Sequence, residues 1–277
     1  MKGKYTVLVQ NNRLRYEFVI SRNITIIRGD SATGKTTLLE LLAAYNADGD
    51  SSGVLVKSEV PCVVIGGRRW QENLQYIHHS IVFIDECNRF VKSEDFAVQV
   101  KESDNYFVIV TRDDLPNLPY SVKEIYGIRT SNKYRGLKQV YNEFYHLYGK
   151  TVSTKFDKED IVLAEDSNSG FEFFSSIYGN QVQCMSAQGK STIFGFLQTH
   201  RQQKILVIAD GATFGCEMEK IMQLIRLGRK ITLYFTDLLI QKTKDTYLAY
   251  TKRSLNPVYL QDTVKSKIID AMFPLSF

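Results

Sequence analysis

No apolar run in this 277-residue chain approaches the length of a membrane span. The first residues, MKGKYTVLVQNNRLRYEF, turn polar too soon for a signal peptide. Cysteine is sparse: Cys62, Cys87, Cys184 and Cys216 are scattered with no C-x-x-C pair. That argues against a zinc site or a disulfide framework and predicts a reducing, cytoplasmic setting. No dense Lys/Arg block accompanies the net charge of +5, so contact with nucleic acid is permitted but not demanded. Neither an internal repeat nor a low-complexity tract is visible. What is present, 44% hydrophobic and 23% charged residues, is the composition of a soluble globular protein. The length gives room for one large or two ordinary domains.

The first half is organised around RGDSATGKTTLL, in which Gly29, Gly34, Lys35 and Thr36 match G-x-x-x-x-G-K-[ST], the phosphate-binding loop. Residues 23–27 read as a short buried strand before it, and 36–45 as a helix after it, with Leu38, Leu39, Leu41 and Leu42 available for packing. The glycines let backbone N–H groups wrap phosphates, and the helix N-terminus adds a favourable partial charge. The pattern predicts ATP binding by Gly29, Asp30, Ser31, Ala32, Thr33, Gly34, Lys35, Thr36 and Thr37. Lys35 is expected to reach the β- and γ-phosphates, and the Thr36 hydroxyl to sit on Mg²⁺.

Residues 80–86, SIVFIDE, form the second strong signal. An apolar strand ending in Asp-Glu has the form of a Walker B element: Asp85 is expected to hold Mg²⁺ and Glu86 to polarise the attacking water. A kinase has no need to activate water, so Glu86 favours hydrolysis. A third strand, 106–110, ends in Thr111-Arg112, either a γ-phosphate sensor or a solvated strand end. Residues 5–10 and 14–20 read as a hairpin turning at Asn11-Asn12. Short strands are predicted at 53–58 and 61–65, and helices at 70–79 and 131–148, the last from the spacing of Leu137, Val140, Tyr141, Phe144 and Tyr148. His78 and His79 read as helix-end residues. A hairpin leading into a P-loop strand resembles ABC-type and AAA-like ATPases more than small nucleotide kinases. No LSGGQ-like segment is present, so the trans-acting half of an ABC dimer site is not supported.

Residues 149–160 read as a linker, after which strand and helix alternate: strands at 161–164, 181–185, 204–209 (ending at Asp210) and 231–235 (ending in Thr236-Asp237), helices at 170–178, one opened by 186–191, and one with Met218, Ile221, Met222 and Ile225 on one face. Such alternation implies a parallel sheet with acidic residues at strand C-terminal ends, where α/β sites form. Here the chain, over about residues 158–240, resembles the TOPRIM domain of topoisomerases, primases and overcoming-lysogenization-defect nucleases. Glu165 matches the glutamate after that family's first strand. Gly189-Lys190-Ser191 resembles the segment after its second. Asp210 and Gly215 match the first aspartate and the glycine of D-x-D-x-x-G. The resemblance implies Mg²⁺ on Glu165 and Asp210, but Ala212 stands in place of the second aspartate. Asp166, Glu217 and Asp237 are the nearby acids that would compensate.

The expected fold is therefore α/β, with a P-loop NTPase sheet and N-terminal β-hairpin in residues 1–149 and a smaller TOPRIM-like α/β domain in 150–277. The expected function is a Mg²⁺-dependent ATPase coupled to a domain acting on nucleic acid. The alternatives are a nucleotide-dependent regulator or scaffold with an inactive second domain, and a small-molecule kinase. A second copy of the chain is a partner the sequence leaves open.

Overall fold

The computed structural model describes residues 3–29, 34–131, 138–148, 161–178, 182–236, 238–242, 247–251 and 257–260. The chain divides into two compact units, Met1–Tyr148 and Gly149–Phe277, of mixed α/β architecture. Among the described residues no helix is long and apolar enough to cross a membrane.

Unit 1 is built on a nine-stranded sheet. Its strands are β1 (Tyr5–Gln10), β2 (Leu14–Ile20), β3 (Ile24–Ile27), β4 (Leu55–Lys57), β5 (Cys62–Ile65), β6 (Ile81–Ile84), β7 (Tyr106–Val110), β8 (Ile125–Thr130) and β9 (Val140–His146). They lie in the order β4-β1-β2-β9-β8-β3-β7-β6-β5. From β8 to β5 every neighbouring pair is parallel, while β1 joins β2 and β4 antiparallel. Strands β3, β6 and β7 are buried at every position, as parallel strands covered on both faces must be. One face lies under helix α1 (Lys35–Asp48), whose Leu38, Leu39 and Leu42 join Phe18, Ile27, Phe83 and Val108 in one core. The other is covered by aromatic rings: Trp70, on the short helix α2 (Trp70–Leu74), stacks on Phe90 at 4.7 Å. Phe96, on α3 (Glu94–Glu102), meets Phe107 edge-on at 5.8 Å. At the β5 edge the Asn46 side chain donates to the Cys62 carbonyl and accepts from the Val64 N–H, both at 2.8 Å, so it stands in for a missing strand.

Two expected helices come out differently. Residues 140–146 form strand β9, not a helix. Asn142 and Phe144 face the core, Phe144 stacked on Phe18 at 4.1 Å, while β2 and β8 supply ladders on both sides. Helix α2 stops at Leu74, well short of residue 79. The Asn105 side chain accepts from the Ser80 N–H at 2.9 Å and donates to the Ile77 carbonyl at 2.6 Å, and these bonds hold the following residues as a turn.

Unit 2 contains a four-stranded, all-parallel sheet of β10 (Ile161–Ala164), β11 (Gln183–Ser186), β12 (Ile205–Asp210) and β13 (Ile231–Thr236), in the order β11-β10-β12-β13. Helices α4 (Ser169–Tyr178), α5 (Lys190–Thr199) and α6 (Met218–Arg226) connect them. Strands β14 (Leu238–Lys242), β15 (Tyr247–Thr251) and β16 (Pro257–Leu260) form a separate antiparallel sheet.

Just before β8, Glu124 is 5% exposed. Burial raises its pKa, against the opposing pull of Arg22, whose Nε lies 3.6 Å from Oε1, and of the Tyr126 hydroxyl that donates to Oε2. A carboxyl whose folded pKa is raised is held better protonated, so the folded state loses stability as pH rises through its ionisation. Thermal unfolding of Glu124→Gln beside the wild type from pH 4 to 7 should show the wild type losing ground as pH rises. Parallel curves would refute this.

Candidate functional site

Because β3, β6 and β7 are parallel, their C-terminal ends share one edge of the sheet, and the polar residues that follow them meet there. Gly29, with φ 135°, follows β3, and its carbonyl accepts a hydrogen bond from Lys35 Nζ at 2.8 Å. Lys35 is 5% exposed. Asp30, Ser31, Ala32 and Thr33 lie outside the described residues. Gly34 precedes α1 in a left-handed conformation, φ 88°. Tyr16 donates its hydroxyl to the Gly34 carbonyl at 3.0 Å, and burial together with the charge of Glu40 pushes its pKa up to about 12. Thr36 is exposed and Thr37 half-buried in the first turn of α1. That turn holds no acidic residue and no side-chain cap, whereas α3 starts with a Ser93 cap and two acids. The N-terminal dipole of α1 is thus left without a negative side chain of its own.

Two strands away, Asp85 follows β6 half-buried. Its Oδ1 accepts the Glu86 N–H at 2.7 Å, and the Cys87 thiol approaches Oδ2 at 3.7 Å. The Asp85 carbonyl accepts both the N–H and the side-chain amide of Asn88 at 3.1 Å. Asn88 Oδ1 in turn accepts the Gly67 N–H at 2.8 Å, so this side chain joins the loops after β6 and β5. Glu86 is met by Arg112, from the end of the intervening strand β7, at 2.8 Å. Both side chains are well exposed, 57% for Arg112 and 39% for Glu86. An ion pair so solvated contributes about 0–1 kcal/mol and is readily exchanged for a stronger charge. Thr111 is buried and its hydroxyl accepts the Asp113 N–H at 3.0 Å, which makes it a turn former. His78 and His79 both flank Asp104, at 3.5 and 3.2 Å, at the ends where β6 and β7 begin, far from this edge.

In unit 2, β10 and β12 are neighbours from which the chain departs in opposite directions, and Glu165 and Asp210 stand at that crevice. The Asp210 N–H donates to Glu165 Oε2 at 2.6 Å, and Asp210 Oδ1 accepts the Ala212 N–H at 2.9 Å. Burial raises the Glu165 pKa; the nearby Asp210 and Asp166 carboxylates raise it too, opposed by the Asp210 N–H and Lys190. Lys190 donates Nζ to the Thr213 carbonyl at 3.1 Å. The compensating acids are otherwise engaged. Asp166 accepts the N–H groups of Gly170 and Phe171 at the start of α4, and Glu217 is buried beside Lys220 at 3.3 Å. Asp237 lies outside the described residues. Among the described residues no cluster of three or more His, Cys, Asp or Glu side chains is placed to hold a metal.

Tyr16 and Asn88 were not singled out by sequence reasoning, since each acts through a contact distant in sequence or through its neighbours' backbone. No protein-family model matches the chain, and no curated protein matches it in sequence.

A Cβ on Gly34 would stand 2.8 Å from the Tyr16 hydroxyl, in a backbone conformation that already disfavours a side chain. Gly34→Ala should lower the stability of unit 1 by roughly 1–3 kcal/mol. Adding Tyr16→Phe removes the clashing oxygen, so in thermal melts the double variant should lose less than the sum of the singles; simple additivity would refute the contact.

Proposed function

We propose that unit 1 binds ATP with Mg²⁺ at the shared edge of β3, β7 and β6 and hydrolyses it. The observation that carries this reading is the convergence on one edge of Lys35 at an uncapped helix N-terminus, Asp85 and Glu86 two strands away, and Arg112 between them. Strands about 4.8 Å apart put the ends of β3 and β6 about 10 Å from each other, room for a terminal phosphate and a water in line with it. The donor set suits Mg²⁺: the exposed Thr36 hydroxyl and the Asp85 carboxylate are hard oxygen ligands, and this ion ordinarily completes its shell with water and phosphate oxygens. Bound there, Mg²⁺ supplies charge neutralisation of the phosphates.

The protein's own groups then have distinct tasks. Lys35 holds phosphate oxygens, exchanging the Gly29 carbonyl for a charged acceptor. Arg112 exchanges its weak pairing with Glu86 for the terminal phosphate, which releases Glu86 to accept a proton from the attacking water. A kinase would require an acceptor alcohol in that space, with Glu86 accepting its proton, so phosphate release without an added acceptor separates the two readings.

Unit 2 we read as a TOPRIM-like domain that binds or regulates rather than cleaves, fused to an ATPase in an arrangement resembling the overcoming-lysogenization-defect nucleases. Ala212 in place of an aspartate, and the engagement of Asp166 and Glu217 elsewhere, support this reading. ATP is then the control input for what unit 2 binds, with nucleic acid the candidate partner by analogy.

Lys35→Ala should weaken ATP binding roughly 10- to 100-fold, as the loss of a charge-assisted contact predicts. Glu86→Gln should keep ATP affinity while slowing phosphate release by about 100-fold or more. Wild-type affinity in the first variant, or wild-type turnover in the second, overturns the reading. Incubation of the protein with DNA and RNA in Mg²⁺ and Mn²⁺ should give no cleavage. Metal-dependent cleavage that disappears in Glu165→Ala and Asp210→Ala would reinstate unit 2 as a nuclease.

A further inference from the structure

Arg28 follows β3, directly before Gly29, and has no task in the chemistry above. Its side chain is 4% exposed, and its main-chain N–H donates to the Tyr126 carbonyl at 2.7 Å. The guanidinium reaches past the end of β7. Nη2 donates to the Asp113 carbonyl at 2.9 Å, to Asp114 Oδ1 at 2.6 Å and to the Tyr120 hydroxyl at 3.5 Å. Nε and Nη1 are buried with no hydrogen-bond partner among the described residues. Stability alone does not select such a residue. Taking a guanidinium out of water is costly, and each buried donor left unmade adds to that cost. An apolar side chain of similar length would fill the same space without either penalty.

The turn that Arg28 grips is the one that carries Arg112. The Thr111 N–H donates to the Ile27 carbonyl at 3.2 Å, the Asp113 N–H to Thr111 Oγ1 at 3.0 Å, and Lys92 pairs with Asp113 at 2.7 Å. Residues 111–114 are thereby fastened to the end of β3, while Arg112 leaves the turn to meet Glu86. Asp114 is next but one to Arg112, so a displaced turn displaces Arg112.

We propose that Arg28 is a positioning residue: by holding Asp113 and Asp114 it fixes the turn from which Arg112 reaches Glu86 and, in turnover, the terminal phosphate. This rests on the ATPase reading of unit 1.

The test compares the full chain with Asp114→Asn, Arg28→Met and Arg112→Ala, measuring ATP affinity, phosphate release and deuterium exchange. Asp114→Asn and Arg28→Met should slow phosphate release by roughly 10- to 100-fold, the effect of a misplaced catalytic group. Their ATP affinity should stay within about threefold of wild type, since neither touches the phosphates. In the Arg112→Ala background Asp114→Asn should add less than about twofold, because the group it positions is gone. Exchange at residues 111–114 should quicken while α1 keeps its protection. Affinity falling in step with turnover, or independent multiplication of the two effects, overturns the proposal. Should Arg28→Met fail to fold, Asp114→Asn carries the test, since that carboxylate is 23% exposed. A wild-type protein that releases no phosphate defeats the ATPase reading itself. The hold on the turn is then decided by exchange alone, and unchanged exchange in Asp114→Asn overturns it.

Discussion

Burial of β3, β6 and β7 on both faces is the constraint from which the rest of unit 1 follows. A strand with no exposed side chain pairs on both edges and is roofed above and below, and parallel pairing with crossover connections provides that. α1 roofs one face, and the rings of Trp70, Phe96 and Phe107 fill the other. Parallel strands also end together. The polar residues that directly follow them, Arg28, Asp85 and Thr111, are therefore gathered on one edge whatever their separation in sequence.

The same constraint acts in unit 2 with a different outcome. β12 is buried at its first five positions and half-buried at Asp210, so Asp210 meets the carboxyl that follows the neighbouring strand β10. In unit 1 the strand ends bring opposite charges together; in unit 2 they bring together two acids, one of which accepts the other's N–H. Burial and the neighbouring acids raise the Glu165 pKa, and Lys190 together with the Asp210 N–H opposes them. Lys190 is itself held in place by the Thr213 carbonyl, to which its Nζ donates at 3.1 Å.

Local pattern carried much of this into the sequence. The hairpin of β1 and β2 was legible because each strand alternates in burial and Asn11 closes the turn by accepting the N–H groups of Arg13 and Leu14. β7 and β10 were legible as short apolar runs. β9 was not: over seven residues rich in aromatics, the spacings of a helix face and of a strand face overlap, and only the ladders to β2 and β8 separate them. α3 is absent from the predicted elements, although Ser93 with Glu94 and Asp95 is a capping signature. In the site, Lys35, Asp85 and Glu86 announce themselves by spacing. Tyr16 under Gly34 and Asn88 between two loops do not, since their roles exist only once distant strands are neighbours.

Arg28 and Arg112 flank one turn and illustrate how burial divides labour between identical side chains. Arg112 is more than half exposed, so its pairing with Glu86 is worth no more than about 1 kcal/mol and is readily given up. Arg28 is almost wholly enclosed, and breaking its contact with Asp114 would leave a desolvated charge at a cost of about 3–5 kcal/mol. Under the proposed hydrolysis, a group that exchanges partners belongs where pairing is weak. A group that sets the geometry of that exchange belongs where pairing is expensive to break. The turn between them, fastened to β3 through Thr111 and Asp113, converts the rigidity of the buried arginine into a defined reach for the exposed one.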